Sequence, residues 1–371
     1  MSIVKLLRVL YRCIRFVLFQ FDPEKIHDMI SGFIKVLGFL IRNGSGQNKL
    51  LKITLCNQFL NCPMVMAAGF DKNGDLVNGL HSFGFGLTEV GTFTKKSQAG
   101  NPKPRLFRIT SHHALFNRMG FNNHGIEKGL DKLAKSRYPF AISIGKSKET
   151  PVEQAVEDYI EILETIEHLR YTDLRKKIVY IAINVSSPNT PGLRLLQNKK
   201  YIKDLIVKCK QVSELPLFVK FSPDFSSMKE FETTLAAALE AGVNGVIVTN
   251  TSSDEALTQC VPEAIRKAGG GLSGLPVTEK SEKYLTSALK LCRGVIPVLS
   301  SGGIMSPEDV WKRLEMGASA VQIYTGFIYN GPGFIKESID YVENKLQQGG
   351  FQSLSDYQRR THLKNRKVQK K

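Results

Sequence analysis

From residue 60 onward, short apolar runs alternate with longer stretches of helical period. The runs are 64–68 (MVMAA), 87–91 (LTEVG), 140–145 (FAISIG), 178–185 (IVYIAINV), 217–221 (LFVKF), 245–250 (GVIVTN), 296–301 (IPVLSS) and 320–324 (AVQIY). Amphipathic segments such as 151–169, 226–242 and 306–317 lie between them. Near-continuous apolar strands separated by helices predict a parallel sheet covered on both faces. Eight such units over about 270 residues fit a closed (β/α)8 barrel of the TIM type. A doubly wound open sheet is the competing architecture, but it needs a reversal of strand order that the pattern does not display.

A different pattern occupies the N-terminus. Residues 2–21 hold twelve Ile, Leu, Val or Phe, with Lys5, Arg8, Arg12 and Arg15 spaced to share one stripe of a helix. On an insertion scale the apolar residues contribute roughly −6 kcal/mol, while four central cations cost roughly +10 to +14 kcal/mol. The helix is therefore expected to lie in a membrane interface and not to span it. After a break at Asp22-Pro23, a second apolar segment covers 25–41, and Asn43-Gly44-Ser45-Gly46 reads as a stop and linker. The expected organisation is a helical hairpin over 1–43, a barrel over 44–350 and a basic tail over 351–371. A plain helix pair packed on the barrel is the alternative for the hairpin. The tail has no hydrophobic period and is expected to be solvated.

Composition changes this picture little. The net charge of +17 resembles that of a nucleic-acid binder, but eleven of the basic residues fall in 1–21 and 357–371, neither of which holds an acid. The remainder is only mildly basic, so no nucleic-acid partner is expected. Six cysteines without CxxC spacing suit a reducing compartment, and neither a disulfide framework nor a metal site is expected. No small-residue cleavage site follows the first apolar stretch, and the stretch is poor in serine for a mitochondrial presequence.

The chemistry is concentrated at one end of the strands. AAGFDKNG (67–74), GT (91–92), SIGK (143–146), NVSSPNTPG (184–192), VKFSPD (219–224), TNT (249–251), SSGGI (300–304) and YTG (324–326) all follow or close a strand, the face where barrel enzymes keep their active sites. Gly302-Gly303 and Thr325-Gly326 suit a phosphate. GGGLSG (269–274) matches GxGxxG but follows a helical segment, and residue 294 is glycine where an acidic ribose partner would stand, so a dinucleotide reading fails. Close approach of backbone to a ligand is the better use for Gly274. Lys72 and Lys220, at strand ends, suggest anionic ligands. Asn117, Asn184, Asn189 and Asn250 each offer a donor and an acceptor, which suits a flat heterocycle with alternating C=O and N–H edges. No Ser-His-Asp set and no carboxylate pair is apparent in these loops. Redox chemistry by a bound cofactor therefore leads over hydrolysis.

These motifs, with GNPKPRLFR (100–108), NRMGFNNHG (117–125), INVSSPNTPGLR (183–194) and VQIYTGFIYNGPG (321–333), resemble the FMN-dependent dihydroorotate dehydrogenases over roughly residues 22–335. The apolar hairpin, and serine instead of cysteine at 187, are similar to the membrane-associated, quinone-reducing class. The resemblance implies oxidation of dihydroorotate to orotate for pyrimidine biosynthesis, with FMN as cofactor and a membrane quinone as electron acceptor. Ser187 would be the base, and Thr190 and Phe121 would bracket its proton relay. Substrate contacts would come from Lys72, Asn117, Arg118, Met119, Gly120, Phe121, Asn184, Asn189, Asn250 and Thr251. FMN contacts would come from Ala68, Gly69, Phe70, Asp71, Lys72, Thr92, Ser143, Asn184, Lys220, Thr249, Gly274, Gly303, Tyr324 and Thr325. His27, Arg108 and Tyr324 would line the quinone path.

Two departures stand out: Ser143 replaces a usual asparagine, and Ser300-Ser301 replace Gly-Val before the glycine pair. The resemblance further implies a monomer attached peripherally to the cytoplasmic face of a bacterial inner membrane, with the mitochondrial inner membrane as the alternative. It also implies that removing residues 1–42 stops quinone reduction and leaves the dihydroorotate half-reaction largely intact. Two other readings stay open: a soluble-type enzyme using fumarate or NAD, and a catalytically inactive barrel that binds membranes or polyanions.

Overall fold

The computed structural model describes residues 3–41, 49–169 and 172–360, with side chains from Leu10 onward. Eight parallel strands close into a barrel in chain order: β1 (Met64–Met66), β2 (Leu87–Phe93), β3 (Phe140–Ile144), β4 (Ile178–Asn184), β5 (Leu217–Phe221), β6 (Gly245–Val248), β7 (Val298–Ser301) and β8 (Ala320–Ile323). No reversal of strand order occurs, so the open-sheet alternative falls. Register sends one parity inward: Asn184 pairs with Lys220, Lys220 with Ile247, Ile247 with Leu299, and Gln322 with both Ser301 and Val65. The other parity, including Ile181, Ile183, Val219 and Val246, packs beneath the surrounding helices. Both faces of each strand are thus buried, which is why the strands read as continuous apolar runs. β1 and β6 end two residues earlier than the sequence pattern implies, although the N–H groups of Ala67, Thr249 and Asn250 still donate to the adjoining strand ends.

Two antiparallel insertions roof the C-terminal end of the barrel. One sheet joins Leu106–Ile109, Ala114–Asn117 and Gly271–Gly274, and the other pairs Lys96–Gln98 with Asn123–Gly125. The GGGLSG stretch is therefore an edge strand against Ala114–Asn117. At the opposite end a hairpin, Ile53–Leu55 and Gln58–Leu60, turns through Cys56 and Asn57, both at positive φ.

The N-terminal helices are α1 (Ile3–Leu18) and α2 (Pro23–Leu40), and the Asp22 carboxylate caps α2 by accepting the Lys25 N–H at 2.8 Å. α2 lies backbone to backbone on α3 (Val77–Ser82), where a Cβ at Gly79 would meet the Ile34 carbonyl oxygen at 2.1 Å. The buried Glu24 carboxylate accepts from Arg105, whose Nη2 lies 2.8 Å from Oε1, and Arg105 also donates to the carbonyls of Ala99 and Asn101. Phe16, Val17, Phe21, Phe33, Phe39 and Leu40 are strongly exposed. No helix among the described residues is long and apolar enough to cross a membrane.

The basic stripe differs from expectation at Arg15, which turns inward and donates to the Tyr329 carbonyl, as the Tyr11 hydroxyl does to Ile328. Those carbonyls end the helix Thr325–Asn330 and need donors. The side chains of Lys5 and Arg8 and the linker at 43–46 lie outside the described residues. The expected solvated tail also begins differently. Residues 354–360 are helical, Leu354 is fully buried, and Tyr357 packs against Trp311 and Phe351. Leu354 and Tyr357 stand three apart, one helical turn, a period too short to register in the sequence. Residues 361–371 lie outside the described residues.

Candidate active site

The C-terminal strand ends and the roof enclose a cavity of about 1170 Å³, its open mouth included. Its floor is an inward-facing polar layer. Lys220 Nζ donates to Gln322 Oε1 at 2.8 Å and to Glu89 Oε1 at 3.3 Å. The other Glu89 oxygen accepts from Gln322 Nε2 at 2.6 Å and the Tyr180 hydroxyl at 2.8 Å. All four side chains are buried, and desolvation together with Glu89 holds the Tyr180 phenol well above its ordinary pKa. A buried charge persists only when paired and hydrogen-bonded, and here both conditions hold. Glu89, Tyr180 and Gln322 were not anticipated. The only signal was one polar letter from each of these residues within a largely apolar strand.

Around this floor the expected amides converge. Asn184 donates to Thr92 Oγ1 at 3.0 Å and accepts from Ser186, while Asn250 donates to the Ser186 hydroxyl at 2.8 Å. Asn189 donates to Asn117 Oδ1 at 3.0 Å, and its N–H reaches the Ser187 hydroxyl at 3.2 Å. Ser187, Met119, Gly120, Phe121, Thr251, Ala68, Gly69, Gly274, Tyr324 and Thr325 line the same cavity.

Lys72 also lines it, and its ammonium donates to His27 Nε2 at 3.3 Å. Desolvation lowers the Lys72 pKa to about 8, although Asp28 and Glu24 oppose the shift. Burial, then the Lys72 charge, lower His27 to about 3, so the ring is neutral and can accept.

Other expected residues stand behind the wall. Asp71 spends both oxygens on the N–H groups of its own loop, Gly74 and Leu76 at 2.8 Å and Asp75 at 3.0 Å, so it braces the loop. Phe70 packs edge-on between His27 (5.0 Å) and Tyr324 (5.7 Å). Ser143 is wholly buried and shares a 2.8 Å hydrogen bond with Thr92. Arg118 reaches neither the cavity lining nor a partner for its buried Nε. Thr190 is buried with its hydroxyl unpartnered. Arg108 turns to the α1–α2 connection, donating to the Phe21 carbonyl at 2.7 Å beneath the Phe19 ring. Of the three expected quinone residues, only Tyr324 lines the main cavity.

The glycine pair fits a phosphate-bearing planar group. Gly302 and Gly303 line the cavity at φ of +101° and +75°, and a Cβ on Gly303 would meet Thr278 Cα at 2.4 Å, so only glycine fits this loop. Arg313, fully buried, supports this loop from behind by donating to the Gly302 carbonyl at 3.2 Å and Ser281 Oγ at 2.9 Å. Ser300 faces outward to Arg313 and only Ser301 of the pair lines the cavity. Thr249 lines the cavity, and its hydroxyl is buried without a protein partner. An unpaired buried hydroxyl is costly, and a ligand's polar edge would satisfy it. Among the described residues no group of three or more His, Cys, Asp or Glu gathers to hold a metal.

The family described as Dihydroorotate dehydrogenase matches residues 50–346. A protein named dihydroorotate dehydrogenase (quinone) from Nitratiruptor sp. is 39% identical, covering 93% of this chain and 97% of its own. One of the same name from Halorhodospira halophila is 40% identical over 89% and 97%. The crystal structure of DHODH from Eimeria tenella in complex with ferulenol superposes with a TM-score of 0.78 at 32% identity, covering 90% of this chain and 94% of that one. The barrel, the loops at its mouth and these likenesses agree, and the chain belongs to the dihydroorotate dehydrogenase family.

Proposed function

We propose that the chain oxidises dihydroorotate to orotate in pyrimidine biosynthesis and passes the two electrons to a membrane quinone, with FMN as its bound cofactor. The observation that carries this reading is the Ser187 hydroxyl set among asparagine amides above a buried lysine, in a chain of this family. Bound FMN supplies the acceptor for two electrons and the C6 hydrogen of the substrate. Ala68, Gly69, Thr92, Asn184, Thr249, Gly274, Tyr324 and Thr325 would hold it, with Gly303 at the phosphate and Lys220 toward the edge that gains negative charge.

Ser187 Oγ takes the C5 proton as the C6–H electron pair departs. A serine hydroxyl is a poor base at neutral pH, so the proton must move on. The unpartnered Thr190 hydroxyl and the Phe121 ring support such a relay. Lys72 faces the substrate carboxylate, while Asn117, Asn189, Asn250 and Thr251 read the pyrimidine edge. A monomeric unit is part of the same reading.

The exposed apolar faces of α1 and α2 support peripheral attachment to lipid, with quinone approaching His27, Arg108 and Tyr324 through the hairpin. The cytoplasmic face of a bacterial inner membrane is the proposed location. An anaerobic titration tests the reading. Purified protein is expected to be yellow, to bleach on adding dihydroorotate and to recover its colour on adding quinone. Ser187→Ala is expected to stay yellow and bleach about 10²–10⁴-fold more slowly. A colourless protein that takes up no FMN, or near-normal bleaching of the variant, overturns the proposal.

A further inference from the structure

The motif INVSSPNTPGLR ends on Arg194, a residue that does not line the cavity yet binds three of the loops around it. Its Nε donates to the Ser186 carbonyl at 3.1 Å, its Nη2 to the Thr251 carbonyl at 3.2 Å, and its Nη1 to Asp224 Oδ2 at 3.0 Å and Ser253 Oγ at 2.7 Å. Ser186 precedes Ser187, and Thr251 follows Asn250. One guanidinium therefore fixes the backbone beside the base and beside a substrate-reading amide.

Asp224, in the loop after β5, holds the guanidinium in turn. Its Oδ1 accepts from Ser252 Oγ at 2.6 Å and Lys280 Nζ at 2.9 Å, and its Oδ2 also accepts the Ser253 N–H at 2.6 Å. Lys280 is itself held by Asp254 at 2.5 Å. Gln197 closes the same loop by accepting the Ser222 N–H at 2.7 Å. Between these anchors, Pro188–Gly192 includes the half-buried Pro188 and Asn189 and the exposed Pro191 and Gly192.

We infer that Arg194, clamped by Asp224, is a positioning residue that sets Ser187 against the substrate carbon and registers the β4 loop on the β6 loop. The inference rests on Ser187 being the base. A planar fork with several fixed donors suits the task, whereas a lysine could reach only one or two of the acceptors. A displacement of about 1 Å in a reacting group costs on the order of 10²-fold in rate, so loss of the fork is expected to act on proton removal and not on the cofactor.

The test uses full-length, flavin-loaded protein and measures the two half-reactions separately by stopped flow. Arg194→Ala is expected to slow flavin bleaching by dihydroorotate about 100-fold, with a larger C5-deuterium isotope effect. Flavin content and reoxidation by quinone are expected to match the parent. Arg194→Lys is expected to recover only part of the loss. Asp224→Asn, which turns an NH2 toward donors on one side, is expected to give an intermediate loss and serves where Arg194→Ala does not fold. Parent-like bleaching in Arg194→Ala, or in Asp224→Asn where it stands in, overturns the inference, as does equal slowing of both half-reactions. If the parent itself does not bleach with dihydroorotate, it is the proposed function that fails.

Discussion

Lys72 answers to two neighbours, the cavity on one side and the neutral His27 ring on the other. With its pKa lowered to about 8, it is a cation at neutral pH and loses its proton as pH rises through about 8. On the proposed reading, the protonated form binds the substrate carboxylate. KM for dihydroorotate is then expected to climb above pH 8, approaching about tenfold per pH unit, because only the shrinking cationic fraction binds. Lys72→Met is expected to raise KM at every pH and to flatten that climb. Steady-state KM measured from pH 6 to 10 checks both, and an unchanged slope in the variant removes Lys72 from carboxylate binding. The sign for stability is separate. The folded chain holds fewer protons than the unfolded one between the two Lys72 pKa values, so this group makes folding stability rise with pH there.

At the scale of elements, α2 is seated by glycine. A Cβ at Gly79 would strike the Ile34 carbonyl at 2.1 Å, and one at Gly38 would strike Gly79 N at 2.5 Å, whereas Gly32 on the same helix meets nothing within 4 Å. Gly79→Ala is expected to cost about 1–3 kcal/mol by forcing the helices apart. Gly32→Ala is expected to be neutral, or stabilising by up to about 1 kcal/mol through helix propensity. Urea melts of the two variants decide the matter, and equal midpoints would show that the close approach carries no weight.

The barrel strands were legible because burial on both faces leaves almost no polar letters in them. The roof strands were not. All three are only four residues long, and Gly271–Gly274, glycine at both ends, pairs with Ala114–Asn117 across more than 150 residues of intervening chain. The cavity residues could be found from their places after strands. What each one faces could not, as Asp71 demonstrates, because a loop's own N–H groups compete with the cavity for a carboxylate.

Over the whole molecule, apolar exposure is concentrated on the outer faces of α1 and α2. Each phenylalanine withdrawn into lipid is worth about 1.5–3 kcal/mol. The double substitution Phe33→Asp, Phe39→Asp is therefore expected to weaken binding to anionic phospholipid vesicles by more than tenfold while dihydroorotate still bleaches the flavin at the parent rate. Co-sedimentation equal to the parent would remove these helices as the attachment surface.

The carboxylate of Glu24 has one further consequence. It is the only acid within salt-bridge reach of Arg105 among the described residues, and Arg105 holds the carbonyls of Ala99 and Asn101, while the Asn101 amide reaches the carbonyls of Arg118 and Asn189. Trimming the first 42 residues would remove the carboxylate that pairs with that guanidinium and the helix that carries it. A shortened chain is thus no clean dissection of hairpin from barrel, since the cut frees a brace that reaches as far as the Asn189 loop.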